Sequence, residues 1–195
     1  MKNKFILGLL AFALIALVSC GDDEPDAPEE VSAIVGTWTL TNAPGSLAVG
    51  PASGSGAWWA SPDPIRTERA CLYDDTYEFT ADGELIITMG SETWLESWQN
   101  GGGAEACGAP VAPHISGTYT YTFDEATGTL TLNGAGAFVG LPKATNAGEL
   151  STGASQPTSR TYSVAALSST AAEIRINTGS NGTDEVHWTF KLSKQ

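Results

Sequence analysis

Downstream of residue 33 the chain repeats one pattern. Short segments alternate apolar and polar residues with a period of two, and helical periodicity hardly occurs. In one segment Tyr77 and Phe79 alternate with Glu78 and Thr80; in others Tyr119, Tyr121 and Phe123 alternate with threonines, and Ile174 and Ile176 with Arg175 and Asn177. Successive side chains of a strand point to opposite faces, so each segment reads as a strand with one wet face and one face in a core. Eight are expected: Val35–Thr41, Asp75–Thr80, Glu84–Met89, Thr118–Phe123, Thr129–Asn133, Arg160–Ala166, Glu173–Asn177 and Glu185–Leu192. Eight antiparallel strands lose their exposed edges by closing into an up-and-down barrel, and this all-β architecture is the predicted fold of residues 34–192.

The connections divide by length. Ala81–Gly83, Asp124–Gly128 and Leu167–Ala171 are polar and hairpin-sized. Residues 42–74, 90–117 and 134–159 are far longer, a length that loops in compact domains reach when they carry function. In an up-and-down meander the three long loops fall at one end and crowd one mouth. Gly36-Thr37-Trp38 resembles the Gly-x-Trp signature of lipocalins and other calycins, and Tyr77–Gly83 resembles a hairpin of bacterial lipocalin-like lipoproteins. Ala57–Trp59, Arg69–Asp75, Glu92–Trp98, Cys107–His114 and Gly140–Lys143 resemble an accessory module of polysaccharide-utilisation lipoproteins in Bacteroidota, found also beside family-sixteen glycoside hydrolases. That resemblance implies glycan handling, with a glycan transporter or hydrolase as companion.

The N-terminus carries a second resemblance. Lys2 and Lys4 precede an apolar run from Phe5 to Val18 that is too short to span a bilayer, and Leu17-Val18-Ser19-Cys20 resembles the lipobox of bacterial lipoproteins. The expectation is a signal peptide over 1–19, a lipidated Cys20 and an acidic, proline-containing tether over 20–33. The acidic residues behind Cys20 resemble the signal that exports lipoproteins to the outer face of the outer membrane; a merely solvated linker explains them as well. With Cys20 acylated, Cys71 and Cys107 remain, and in an oxidising compartment a disulfide is expected of them ahead of metal ligation.

Charge narrows the partners. Two of the 9 basic residues lie in the leader, so against 22 acidic residues the exported chain carries about −15. Nucleic acid is excluded as a partner, and membrane attachment falls to the acyl chains on Cys20. Trp58, Trp59, Trp94 and Trp98 lie in the two longest loops, where flat rings hold the apolar face of a sugar. Thr93-x-x-Glu96 resembles a capping box, so a short helix is expected to put Trp94 and Trp98 on one face, with Glu92 and Glu96 beside them. Glu92, Glu96 and His114 would orient the sugar. The competing reading packs these rings as a plug, while Trp38 and Trp188 read as strand core.

Catalysis is the weaker reading. Asp74, Asp75, Glu92, Glu96 and Glu105 supply carboxyl groups for glycoside hydrolysis, but the Glu-x-Asp-x-x-Glu pattern of family-sixteen hydrolases is missing. His114 and His187 form no metal-spaced cluster, and no phosphate-binding loop or nucleophile elbow occurs, so no metal, cofactor or enzymatic activity is expected. Enclosure of a small apolar ligand inside the barrel is the alternative, unless Tyr77, Phe79, Leu85, Ile87, Tyr119, Tyr121, Ile174 and Ile176 fill the lumen.

Overall fold

A computed structural model describes residues 31–195, the side chains of 64–66 excepted. Cys20, the leader and nearly all of the tether lie outside the described residues. In chain order the strands are β1 (Gly36–Leu40), β2 (Leu47–Gly50), β3 (Trp59–Ala60), β4 (Thr76–Phe79), β5 (Glu84–Thr88), β6 (Thr93–Leu95), β7 (Ala106–Gly108), β8 (Gly117–Asp124), β9 (Thr129–Asn133), β10 (Ala144–Thr145), β11 (Gly148–Glu149), β12 (Ser159–Leu167), β13 (Ala171–Ser180) and β14 (Glu185–Lys194). Two short helices, α1 (Asp63–Glu68) and α2 (Ala70–Tyr73), precede β4.

Eight of these strands close a barrel in the order β1-β4-β5-β8-β9-β12-β13-β14, every pair antiparallel, with β14 returning to β1. They are the eight that alternation predicts. The seam at β14 is shared. Its last residues pair with β1, Trp38 opposite Lys194 and Leu40 opposite Leu192, and its first half pairs with β2, His187 opposite Gly50 through Phe190 opposite Leu47. Between them the Thr41 amide donates to the Lys191 carbonyl and the Lys191 amide to the Ser46 carbonyl, so the edge of β14 stays hydrogen-bonded where the chain steps from β1 to β2.

The closed end is sealed by hairpins and one indole. At Gly83 the chain turns with φ +82°, a left-handed conformation that glycine adopts without a Cβ clash. Trp38 is fully buried; its Nε1 donates to the Ile34 carbonyl at 2.7 Å and the Lys194 ammonium stands 5.1 Å from its ring. Above it Tyr77, Phe79, Leu85, Ile87, Tyr121, Ile174 and Ile176 point inward and are buried, and Phe79 meets Tyr121 edge to face at 4.9 Å. Tyr119 is half-buried, its hydroxyl turned to the Ile115 carbonyl. Burial of such side chains contributes about 1.5 to 3 kcal/mol each, the main favourable term of this fold.

The other end of the barrel does not open into a lumen. Residues 137–141 of the β9–β12 connection enter the mouth, and Ala137, Phe138, Val139 and Leu141 are all buried in the core. Gly140 is the tightest point: its φ is +83° and a Cβ there would lie 2.3 Å from the Phe190 ring. The Gly140 amide donates to the Tyr77 hydroxyl and the Val139 amide to the Tyr162 hydroxyl, both at 3.2 Å, so the wall provides hydrogen-bond partners for the inserted backbone.

The long loops add small sheets of their own, β2 with β3, β6 with β7 and β10 with β11. Thr93–Leu95, expected as the start of a helix, is strand β6 instead. Trp94 lies opposite Cys107 in the pairing with β7, and the Thr93 hydroxyl, expected to cap a helix, donates to Asp75 Oδ2 at 2.6 Å. Cys71 and Cys107 form a disulfide with their Cα atoms 6.0 Å apart, tying α2 to β7. The crosslink spans 36 residues, so in the chain-entropy treatment its removal costs about 3 to 4 kcal/mol. Denaturant unfolding of the Cys71→Ser/Cys107→Ser double variant should show that loss; an unchanged midpoint would mean the mouth loops hold themselves.

Candidate functional site

The mouth is built around a buried cation. Arg160 sits at the start of β12 with 0 % exposure, its inward position following from the alternation with Thr161 and Tyr162. Its guanidinium donates to the carbonyls of Ala137 and Pro142 at the two ends of the plug, and to His114 Nε2 at 3.2 Å. An arginine only donates, so His114 Nε2 is the acceptor and the imidazole proton lies on Nδ1. Burial and the neighbouring Arg160 push the His114 pKa down to about 4, which keeps the ring neutral. Trp98 and Phe138 flank it edge to face at 5.8 and 5.4 Å.

Beside this plug lies a cluster of indoles and charges. Trp94, 2 % exposed, is covered by the Arg69 guanidinium 4.1 Å from its ring centre. Arg69 also stands 5.7 Å from Trp59, which packs on Trp188 at 6.4 Å, and Lys143 Nζ is 5.1 Å from the Trp188 ring. Both cations are held by carboxylates. Arg69 meets Glu105 at 3.1 Å, and Lys143 meets Glu96 at 3.0 Å and Glu105 at 3.6 Å. These bonds join all three long loops.

Glu96 and Glu105 converge on Lys143, and Glu96 is the more deeply buried of the two. Burial raises the Glu96 pKa to about 7 against the pull of Lys143, and its Oε1 is enclosed with no hydrogen-bond partner among the described residues. Burial also pushes Glu105 up, but the neighbouring Glu96 carboxyl and the charges of Lys143 and Arg69 outweigh that and hold it below the usual range. Asp75, buried under the mouth, is raised to about 7 by desolvation, opposed by the Thr93 hydroxyl and reinforced by Asp74.

An accessible groove of about 420 Å3 lies at the β13–β14 hairpin. Trp58, 43 % exposed, forms one side, and Trp188, Val49, Val186 and the backbone at Gly148 line it together with the polar side chains of Glu149, Thr178, Ser180 and Asn181. Glu149 Oε1 accepts from the Trp188 indole at 2.6 Å, which fixes both side chains. Asn146, in the turn between β10 and β11, holds this region against the barrel wall. Its side-chain amide accepts from the Thr161 amide at 2.7 Å and donates to the Thr161 and Asn177 carbonyls, bridging β12 and β13 where they splay apart.

The seven residues read from the sequence as ligand contacts are thus spread over five surroundings. Trp94 and Glu96 are buried in the ionic cluster; His114 is buried under the plug, with half-buried Trp98 against it. Trp59 is half-buried on Trp188, Glu92 is exposed at the turn before β6, and Trp58 lines the groove. Trp188 and Glu149 escaped notice as groove residues: Trp188 lies in a core strand, and one glutamate of an acidic chain carries no local signal. Lys143 and Arg69 sit inside the stretches quoted for the accessory module, where composition alone says nothing of their carboxylate partners.

The pH dependence follows from the buried groups. Glu96 and Asp75 keep their protons in the folded barrel where the unfolded chain, with values of 4.5 and 3.8, has released them. Their contribution is complete below about pH 4 and is lost as pH rises through about 7. His114 acts in the opposite sense, its contribution complete above 6.5 and lost as pH falls toward 4. Two groups against one should make the melting temperature fall between pH 5 and 7.5. Glu96→Gln should flatten that fall in a calorimetric series; an unaltered slope would remove the proton from Glu96.

No protein-family model matches the chain, and no curated protein matches it at a significant level. Its affinity rests on architecture: a closed eight-stranded antiparallel up-and-down barrel, consistent with a lipocalin-like fold.

Proposed function

We propose that this protein holds a carbohydrate at the barrel mouth without cleaving it, on the outer face of the outer membrane, anchored through acyl chains on Cys20. One observation carries the reading: an exposed indole, Trp58, stands in a groove that also holds the Trp188 ring, Val49 and Val186, with the polar side chains of Glu149, Thr178, Ser180 and Asn181 among them. A flat ring next to hydrogen-bonding groups is what a sugar needs, with its apolar face against the ring and its hydroxyls against the polar wall. The site is the Trp58 groove rather than the Trp94–Trp98 pair, because Trp94 is sealed beneath Arg69.

Two further observations favour it over the alternatives. The interior is filled by wall side chains and by the 137–141 plug, which disfavours an enclosed apolar ligand. The carboxylates of Glu96 and Glu105 are both held by Lys143, at 3.0 and 3.6 Å, so they are committed to an internal cation rather than placed to act on a glycosidic bond. A neighbouring transporter or hydrolase would take over the glycan held in the Trp58 groove.

Affinity electrophoresis in polysaccharide gels tests the reading. Trp58→Ala should weaken binding by about 1 kcal/mol or more and leave the melting temperature unchanged. Trp94→Ala should instead cost about 3 to 5 kcal/mol of stability as a core truncation. Binding untouched by Trp58→Ala, or binding of fatty acids and no glycan, would contradict the proposal.

A further inference from the structure

Building on the carbohydrate reading of the Trp58 groove, we infer that its ligand is a neutral, hydroxyl-rich glycan and that Glu149 discriminates against uronate and sulfated chains. The groove is lined by one charged side chain, Glu149, and by no cation among the described side chains. Glu149 Oε1 accepts from Trp188 Nε1, which aims the carboxylate, while Oε2 accepts from no protein donor among the described residues. A carboxylate with acceptor capacity to spare takes hydrogen bonds from sugar hydroxyls, and a vicinal diol supplies two. Asn181 Oδ1 already accepts from the Thr183 and Asp184 amides, which leaves its Nδ2 as the donor in the opposite wall.

An anionic glycan meets the reverse arrangement. Its carboxylates or sulfates would face Glu149, and the hairpin beside the groove ends in Asp184 and Glu185, both exposed. The described cations at the mouth that could offset this are already engaged. Lys143 is bound to Glu96 and Glu105, Arg69 to Glu105, and Arg175, on the outer wall, to Glu173 at 2.5 Å. Arg160 is buried beneath the plug. Recognition of carboxylate or sulfate normally rests on such guanidinium groups, and here they are committed to internal partners. Like charge at the groove then works as a selectivity element alongside the attractive hydroxyl contacts.

The test compares two sets of size-matched polysaccharides against the full chain. One set is neutral (a glucan, a mannan, a galactan and a xylan) and the other charged (a polyuronate and a sulfated galactan). Measurements at 50 and 500 mM salt separate the screened repulsion of the whole acidic chain from the local effect of Glu149. At least one neutral glycan should bind tenfold or more tighter than either charged one, with the preference surviving at high salt. Glu149→Gln keeps the Oε1 acceptor for Trp188 but removes the charge; it should weaken neutral binding several-fold and narrow the preference. Charged glycans bound as well as neutral ones, or a preference unchanged in Glu149→Gln, would overturn this inference and leave carbohydrate binding standing. Binding of neither set would overturn both.

Discussion

The hydrogen bonds of Arg160 hold the mouth of this barrel together. A guanidinium placed inside an apolar wall is costly unless its donors are used, and here the partners are two backbone carbonyls and a neutral imidazole rather than a carboxylate. Those carbonyls belong to Ala137 and Pro142, so satisfying the cation also fixes both ends of the plug. Hydrogen bonds to a charged group contribute roughly 1.5 to 3 kcal/mol each, and removal of one partner leaves a buried charge behind. The plug is therefore part of the core, and the barrel cannot present the deep lumen its strand number would allow.

Filling the interior moves recognition to the rim. There the Cys71–Cys107 disulfide and the ion network through Arg69, Glu105, Lys143 and Glu96 tie the three long connections into one surface, with Trp94 and Trp59 packed beneath the cations. The network explains why large aromatic residues stand in loops. Most of them give the loops a core of their own, and Trp58 is the indole left exposed. Lys143 and Trp188 link this support to the groove, since Lys143 covers the ring whose Nε1 holds Glu149.

The wall of the barrel was legible in the sequence because period-two alternation is a local signal that inward burial enforces at each strand. Even Arg160 falls in register with Tyr162. The disulfide was legible by elimination, and the gathering of the long loops followed from alternating connection lengths. What failed was local reading inside those loops. Thr93-x-x-Glu96 has the residues of a capping box, but pairing with Ala106–Gly108, the disulfide beside Trp94 and the hydrogen bond to Asp75 draw the segment into a strand. The plug over 137–141 has no periodicity because its burial follows from contacts with Tyr77, Tyr162 and Arg160, all distant in sequence. Strand β2 is four residues long and pairs only with β14 and β3, too brief to announce itself.

Amide hydrogen exchange at Val139 and Gly140 tests the sealed mouth most directly. Both amides donate to phenol hydroxyls of the wall, so they should exchange only through global unfolding, with protection matching that of Ile174 and Ile176 at the barrel core. Exchange of Val139 and Gly140 within seconds, while those strand amides stay protected, would show a plug that opens independently and a lumen available to ligand.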